Sequence, residues 1–410
     1  MQNENEELPT CEKLFSLELT VLKLVGLGSL KNGFRQKNAN LLVKFYEIFL
    51  FIYSASVLTT FFISSVFTVH VLLHSDFILA CEIATFIFAG AITVSKVLRI
   101  WSYRIELIEI LKEFNDLWED ITKHRLNLKE NICDILNASK PIRYGYCLIA
   151  SSLSLSYALR PYFQMLFYFI KQSENKTYDL TVTVYPLIYP IQRGTWLGYL
   201  LCLAYEQSIL FFGAVYWIMW DTLFILLTSH ICVHFMIMSN DFNNLHVNYD
   251  KNDNESFKSI EDLSRRHQKM FILCQKIETL YSPIILLTVV FNGIDLCLCI
   301  FALDKDLSNG NWAKVASSVT HALTLFVQIV IYCEFSHVAT EETSRISEAI
   351  YNSSWIYFDK KMKKMLLIIM MRASREYKFS VYGILILDRE QLTKIVKTTM
   401  SYFTMLRSFS

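Results

Sequence analysis

The sequence has few charged residues, few glycines and few prolines. Charged residues make up 19% of its 410 positions, and there are 11 glycines and 6 prolines. Soluble domains carry roughly a quarter charged residues, so this composition excludes a large soluble domain and leaves little material for linkers. The net charge of +1 argues against a nucleic-acid partner. Hydrophobic residues make up 53% of the chain, which indicates an integral membrane protein.

The sequence also lacks a disulfide framework and the motifs of an enzyme. Most of its ten cysteines lie inside apolar runs, as free buried thiols do. Cys297 and Cys299 form a weak metal-binding signal with no partner pair nearby. There is no glycine-rich phosphate loop and no nucleophile elbow. We therefore expect no enzymatic activity, no cofactor and no bound metal.

Long apolar runs recur along the chain. A spanning helix needs about 20 mainly apolar residues, and a helical bundle is the architecture that satisfies the backbone in lipid here. Seven spans are predicted, at 41–70, 77–101, 144–170, 195–238, 271–303, 312–333 and, more weakly, 384–409. The fourth run corresponds to about 65 Å of helix. Its middle contains Gly213 but no proline, so one overlong helix is predicted rather than two spans.

Basic residues indicate the orientation. They concentrate before the first span and in every second connection, with Lys96 and Arg99 assigned to the connection between spans two and three. Basic segments favour the cytoplasmic side, so we predict a cytoplasmic N-terminus and an extracellular C-terminus. No signal-peptide pattern precedes the first span, which is expected to target the membrane itself. A glycosylation sequon at Asn175 then lies outside the cell.

Polar residues inside the spans are candidates for chemistry. His230 and His234 share one helix face, as zinc ligands could, but no third ligand is evident. A polar face where the long fourth helix leaves the lipid is the favoured interpretation. The carboxylates in the spans are expected to bond across helices rather than to act in catalysis. They are Glu82, Glu206, Asp221 and Asp295.

Aromatic residues crowd the predicted outer halves of spans two to six. Bundle packing explains most of them, but a cavity among them would be apolar with a few polar contacts, which suits a small volatile or lipophilic ligand. The candidate ligand-binding residues are Thr85, Phe86, Phe88, Ser154, Tyr157, Tyr205, Ile209, Phe212, Phe291 and His321.

The segment 341–371 is predicted to be an amphipathic helix. It could lie on the membrane surface or pack against sister subunits inside the cell. Packing is favoured because Tyr351 and Trp355 suit a protein interface. Asp388 then begins a new helix as its N-cap, with Gln391 at the reciprocal position of a capping box.

The final helix is too polar to face lipid. It carries Lys394 and Lys397, and a Lys near mid-bilayer costs roughly 2.5–3.5 kcal/mol, so protein or water should surround it. One copy per subunit around a symmetry axis would line a pore. The face that points to the pore is formed by Thr398, Tyr402, Met405 and Phe409, with the last two as an apolar gate. The alternative is a buried bundle helix without conduction.

Several stretches resemble the insect odorant receptors. They are the residues 221–224 (DTLF), 230–232 (HIC), 349–351 (AIY) with Trp355, the lysine-rich segment before 366–371, 387–391 (LDREQ) and above all 399–407 (TMSYFTMLR). The resemblance implies a ligand-gated, non-selective cation channel in the plasma membrane of a sensory neuron dendrite. It implies a heterotetramer with an odorant receptor co-receptor, a small volatile ligand and the inverted seven-span topology. It also places the pore gate at Met405 and Phe409.

The resemblance divides the chain into three parts. Residues 1–338 would hold six spans with the pocket in their outer halves, 339–383 a cytoplasmic anchor, and 384–410 the pore-lining seventh helix. The connection 240–269 is short and the chain does not end as the co-receptor does, so a ligand-tuning subunit is expected. Alternatives are a seven-helix G-protein-coupled chemoreceptor, a related gustatory receptor channel, and a membrane enzyme or transporter.

Overall fold

The fold is taken from a computed structural model of the whole chain. It describes residues 9–34, 40–75, 77–124, 128–171, 178, 180, 182–189, 194–245, 253–308 and 312–408. Nearly all of the regular structure in these ranges is helical. The helices are α1 (Cys11–Leu14), α2 (Ser16–Leu24), α3 (Leu41–Leu72), α4 (Phe77–Ser102), α5 (Arg104–His124), α6 (Lys129–Lys171), α7 (Trp196–Asn243), α8 (Asp253–Ser308), α9 (Trp312–Asn352), α10 (Lys360–Ala373) and α11 (Arg389–Ser408).

Seven of these helices correspond to the seven predicted spans. In the described ranges, five are long and apolar enough to cross a membrane by length and composition: α3, α4, α7, α8 and α9. α6 and α11 are more polar, so the count of seven spans stays a prediction. The prediction of one overlong helix at the fourth run is confirmed, because α7 continues unbroken for 48 residues through Gly213.

α7 is the central helix of the bundle. It packs against α3, α4, α6, α8 and α9, and almost every side chain from Val215 to Phe235 is buried. An amphipathic pattern is therefore absent from its inner half, as expected for a helix surrounded by protein. The other helices are arranged around it and supply the walls of the cavity described below.

The prediction for the two histidines of α7 is wrong. His230 and His234 are both buried and do not form a polar face at the lipid boundary. The ring of His230 stacks on Phe15 from the N-terminal segment at 5.1 Å and lies 5.4 Å from the rings of Phe114 and Trp118. α2 packs against α7, and the imidazoles are covered by the ring of Phe15, which lies between α1 and α2, and by the rings of Phe114 and Trp118 on α5.

The segment predicted as one helix at 341–371 is divided in two. α9 ends at Asn352, a short 3₁₀ turn covers Trp355–Tyr357, and α10 starts after Asp359, whose side chain accepts a hydrogen bond from the Lys361 amide. The proposed division at position 338 falls inside α9. Tyr351 is 68% exposed, which leaves it free to contact another chain.

A two-stranded hairpin leads from α10 to α11. β1 (Ser380–Val381) pairs with β2 (Leu385–Ile386) in antiparallel register. The turn holds Tyr382 and Gly383 at positive φ, 52° and 69°, as a tight hairpin turn requires. The Asp388 side chain then accepts a hydrogen bond from the Gln391 amide at 2.7 Å. The predicted N-cap of the last helix is confirmed.

Candidate functional site

A cavity of about 150 Å³ lies between α3, α4, α6, α7 and α9. An apolar cavity of this size holds roughly one aromatic ring. Its walls are mostly aliphatic and aromatic, with a few hydroxyl groups and one imidazole. The lining residues are Leu58, Phe61, Thr85, Phe86, Ala89, Gly90, Thr93, Ala150, Leu153, Ser154, Tyr157, Tyr185, Ile209, Leu210, Gly213, Ala214, Trp217, His321 and Thr324.

Small residues on α7 and α4 leave room for the cavity. On α7, Ile209, Gly213 and Trp217 follow one another at intervals of four, so they face the same side. A Cβ at Gly213 would meet Leu58 at 4.0 Å, which is ordinary contact distance. The missing side chain therefore adds to the cavity volume, and α4 contributes in the same way at Ala89 and Gly90.

A loop between α6 and α7 covers one end of the cavity. Tyr185 from this loop is buried between Phe61, at 4.8 Å between ring centroids, and Phe86, at 5.0 Å. Its backbone is held by the buried carboxylate of Glu206 on α7, which accepts hydrogen bonds from the Val184 amide at 2.8 Å and the Tyr185 amide at 3.3 Å. The loop thus places an aromatic ring on a fixed backbone over this end of the cavity.

The opposite end of the cavity rests on a buried polar network. The Trp217 indole donates to the Thr93 hydroxyl at 2.8 Å, and the Lys96 ammonium lies 5.0 Å from the centre of the Trp217 ring. Lys96 in turn pairs with Asp221 at 3.0 Å. The wall of the cavity is therefore in direct contact with an ion pair that solvent does not reach.

Asp221 joins four helices. Its carboxylate accepts hydrogen bonds from Lys96 on α4, Tyr146 on α6, and Gln328 and Tyr332 on α9. The prediction that this carboxylate bonds across helices is confirmed. The assignment of Lys96 to a cytoplasmic connection is wrong, because the side chain is fully buried and paired inside the bundle.

The cavity brings together six of the ten predicted ligand-binding residues: Thr85, Phe86, Ser154, Tyr157, Ile209 and His321. The other four have different neighbours. The rings of Phe88 and Phe291 pack together at 5.2 Å, Tyr205 shares a hydrogen bond with Thr60, and Phe212 packs edge-on against Tyr53. Aromatic composition alone did not separate the two groups, because Phe88, Tyr205 and Phe212 lie on α4 and α7, which also line the cavity; Phe291 lies on α8, which does not.

Several lining residues were not among the candidates. Tyr185 lies in a loop, where hydropathy gives no signal. Trp217 and Thr93 could have been found from spacing, because Trp217 is eight residues after Ile209 and Thr93 seven after Phe86, which puts each pair on one helix face. Leu58 and Phe61 lie on α3, which had not been expected to contribute.

A second space of about 500 Å³ separates α11 from α8. It is an open groove, bordered on α11 by Lys394, Thr398, Tyr402 and Met405. Three of the four predicted pore residues therefore share one side of α11, as their spacing predicted. The fourth, Phe409, lies outside the described residues, and so does the sequon at Asn175.

Ion pairs attach both ends of α11 to the bundle. Arg389 at its start pairs with Glu334 on α9, and Arg407 at its end pairs with Asp304 on α8 at 3.4 Å. Lys394, expected to be awkward in a cation path, pairs with Glu390 one turn earlier at 2.7 Å. The positive charge of Lys394 is thereby partly balanced on its own helix.

Comparison with known proteins identifies related chains. The sequence model of a family described as 7tm Odorant receptor matches residues 76–400. Odorant receptor 47a of Drosophila melanogaster is 28% identical over 196 residues, which cover 46% of this chain and 49% of that protein. Odorant receptor 13a of the same species is 19% identical over 413 residues, which cover 96% of this chain and 95% of that protein. The chain spans about half the length of Odorant receptor 47a and 61% of Odorant receptor 67b of that species.

The fold is shared with a solved receptor. The insect olfactory receptor OR5 from Machilis hrabei superposes with a TM-score of 0.76 at 13% identity, covering 97% of this chain and 100% of that chain. Its complex with eugenol superposes with a TM-score of 0.78. At this identity the likeness establishes the helical architecture of the chain.

Proposed function

The chain belongs to the 7tm Odorant receptor family, and we propose that it is the odorant-binding subunit of a ligand-gated, non-selective cation channel that assembles with a co-receptor into a heterotetramer. The observation that carries this proposal is the apolar cavity between α3, α4, α6, α7 and α9, over one end of which Tyr185 lies. Apolar walls with a few polar groups are the usual surroundings of a small ligand. No side chain with a full charge lines this cavity in the described part of the chain.

The ligand is a small volatile molecule of about the size of one ring. The volume of about 150 Å³ sets this limit. The rings of Phe86, Tyr157 and Trp217 offer stacking faces, and the hydroxyls of Thr85 and Ser154 line the same space. The solved olfactory receptor that shares this fold has also been determined in complex with eugenol, which supports a ring-bearing ligand here.

The protein spans the plasma membrane seven times, with α6 and α11 as the two polar spans. The N-terminus is cytoplasmic and the C-terminus extracellular, as the alternation of basic connections indicates. The pocket then faces the outer half of the bilayer, and α10 with the inner ends of α7, α8 and α9 forms the cytoplasmic anchor. The family implies the dendrite of a sensory neuron as the location.

α11 lines the pore. Thr398, Tyr402 and Met405 border an open groove rather than the core of the chain, so in an assembly they are available to water and cations. Met405 and Phe409 form the apolar constriction that excludes water in the closed state. Ligand binding in the cavity is transmitted to α11 through α8 and α9, against which it packs.

The anchor provides the contact with the co-receptor. Tyr351, Ile356 and Tyr357 at the α9–α10 junction are large, apolar and mostly exposed. Clustered exposed aromatics are typical of protein interfaces. The anchor therefore associates with neighbouring subunits inside the cell rather than with lipid.

Co-expression with the co-receptor tests this function. Calcium imaging with esters, alcohols, terpenes and aromatic volatiles should reveal ligands that evoke an inward current, and neither chain alone should respond to them. The competing function is a G-protein-coupled receptor of the conventional orientation. An epitope tag after Ser410 decides between the orientations, because staining of intact cells supports the channel and staining only after permeabilisation overturns the topology.

A further inference from the structure

Three metal-ligating side chains meet between α8 and α9. Asp295 and Cys299 lie one turn apart on α8, and His321 faces them from α9. The Cys299 sulfur lies 3.5 Å from the His321 Nδ1 and 3.8 Å from an Asp295 oxygen, and the other Asp295 oxygen lies 3.5 Å from the His321 Nε2. One ligand atom from each residue can be chosen so that all three lie within 4.8 Å of one another.

These separations are close to those of a tetrahedral metal centre. Zinc binds sulfur at about 2.3 Å, imidazole nitrogen at about 2.0–2.1 Å and carboxylate oxygen at about 2.0–2.2 Å, so its ligand atoms are separated by roughly 3.3–3.6 Å. The distance of 3.5 Å between the Cys299 sulfur and the His321 Nδ1 is within this range. The Asp295 contact at 3.5 Å joins the other ring nitrogen, Nε2, and the distance of 3.8 Å between sulfur and oxygen is slightly longer than the range. Small side-chain rotations would bring one imidazole nitrogen, the sulfur and one oxygen around a common centre.

The three donor side chains are almost completely buried, but His321 stays partly accessible. The Asp295 and His321 side chains are 3% and 18% exposed, and Cys299 is buried. His321 also lines the ligand cavity, so the cluster borders that space. His321 is the one residue of the three that lines the cavity, so a metal held by the cluster would lie behind the cavity wall at His321. Three protein ligands leave the fourth position of a tetrahedral ion free.

We propose that Asp295, Cys299 and His321 bind a zinc-class divalent ion at the wall of the ligand cavity, with the fourth coordination position facing the cavity. The combination of thiolate, imidazole and carboxylate selects such ions over magnesium or calcium, which prefer oxygen ligands alone. When the metal binds, the Cys299 thiol gives its proton to water, because a coordinated thiol is deprotonated by the ion. The fourth position accepts water or a ligand that carries a thiol or an amine.

Cobalt binding to the purified full-length protein tests the site. Co²⁺ is titrated into the protein in detergent, and visible absorption reports tetrahedral coordination with a sulfur ligand. One equivalent per chain should give the thiolate charge-transfer band, and Zn²⁺ should displace it. Cys299→Ser should abolish the band, and His321→Ala should weaken binding by at least about a hundredfold, since even outer-shell partners contribute 10–100-fold.

Cys297→Ser is the matched control, because Cys297 is buried on the same helix two residues earlier and is not part of the cluster. This variant should bind cobalt as the wild-type protein does. An equal band in Cys299→Ser, or no band in wild-type protein that elutes as a single species, overturns the proposal. This measurement needs no odorant, no co-receptor and no current, so its result does not depend on the proposed channel function.

A volatile thiol added to the cobalt-loaded protein tests the open position. The band should shift if the thiol occupies the fourth position. An unchanged spectrum overturns the assignment of a free position that faces the cavity.

Discussion

Lys96 and Asp221 form an ion pair at 3.0 Å in which neither side chain is exposed. Burying two charges is expensive unless further hydrogen bonds satisfy them, and here Tyr146, Gln328 and Tyr332 all donate to the same carboxylate. The Lys96 ammonium also lies over the Trp217 ring, which lines the cavity. The pair therefore fixes four helices relative to one another directly beside the cavity.

Replacing Asp221 should destabilise the protein strongly. Asp221→Asn leaves the Lys96 ammonium buried without an anion, and removal of one partner of a buried pair costs about 3–5 kcal/mol. Lys96→Met should cost less, because three neutral donors still satisfy the carboxylate. The measurement is the fraction of detergent-solubilised protein that stays monodisperse after heating.

The control for this prediction is Arg265→Gln. Arg265 pairs with Glu261 on the surface and its side chain is 70% exposed, so its loss should change stability by less than about 1 kcal/mol. If Asp221→Asn withstands heat as well as Arg265→Gln does, the buried pair does not hold the bundle together.

Adding one methyl group at Gly213 should shift ligand preference toward smaller odorants. Gly213→Ala places a Cβ in the cavity wall, 4.0 Å from Leu58. A methylene in an apolar pocket changes discrimination between ligands by roughly tenfold or more. Dose–response curves for a homologous series of agonists should show lost potency for the largest members only.

Gly145→Ala is the matched control, because a Cβ at Gly145 meets nothing within 4 Å and this α6 glycine does not line the cavity. Both changes improve helix propensity by about 1 kcal/mol, so that effect is common to both. An identical change of agonist potency in the two variants would show that Gly213 does not border the ligand site.

Neutralising Glu206 should loosen the cover of the cavity. Glu206→Gln keeps the shape of the side chain but replaces one carboxylate oxygen by an NH2 group. Each oxygen of Glu206 accepts from one backbone amide, of Val184 or of Tyr185, so one of these two hydrogen bonds is lost. Hydrogen bonds to a charged group contribute about 1.5–3 kcal/mol each. Current should therefore decay faster after odorant washout, while Glu261→Gln on the surface should leave the decay unchanged.

Removing the side chain of Met405 should increase current in the absence of odorant. If Met405 narrows the pore with an apolar ring, Met405→Ala widens it and makes the closed state leakier to water and ions. Met400→Ala is an appropriate control, because Met400 is equally exposed, 46% against 48%, but does not border the α8–α11 groove. Equal baseline currents in the two variants would argue against a gate at Met405.

Hydropathy and capping residues predicted the positions of most helices, including the continuity of α7 and the start of α11. α7 contains no proline and is continuous as predicted, and the carboxylate of Asp388 caps the start of the final helix. Proline alone does not decide continuity, because α6 and α8 also continue through their prolines. The division of 341–371 was missed because it depends on how the chain packs at residues 353–359. His230 was misplaced for a related reason, since the rings that cover it come from Phe15, Phe114 and Trp118, distant in sequence.

The cavity could be predicted only in part. Helical spacing places Thr85 and Phe86 near Gly90 and Thr93, but it does not show that Phe88 turns away toward Phe291. The contact of Tyr185 with the cavity depends on the buried Glu206, which holds the loop through backbone amides. Such backbone contacts leave no pattern in the sequence. For Lys96, the alternation of basic segments predicted a place in a cytoplasmic connection, and only the structure reveals its buried partner, Asp221.

The most direct test of the account is an odorant response in an excised membrane patch. Cells express this chain with the co-receptor, and an outside-out patch is excised from them. The pipette solution, which bathes the inner face of the membrane, lacks GTP and ATP, and the odorant is applied to the outer face. We predict that an odorant evokes a non-selective cation current immediately, because the ligand cavity and the pore belong to one assembly. A current that appears only when GTP is supplied would contradict the account.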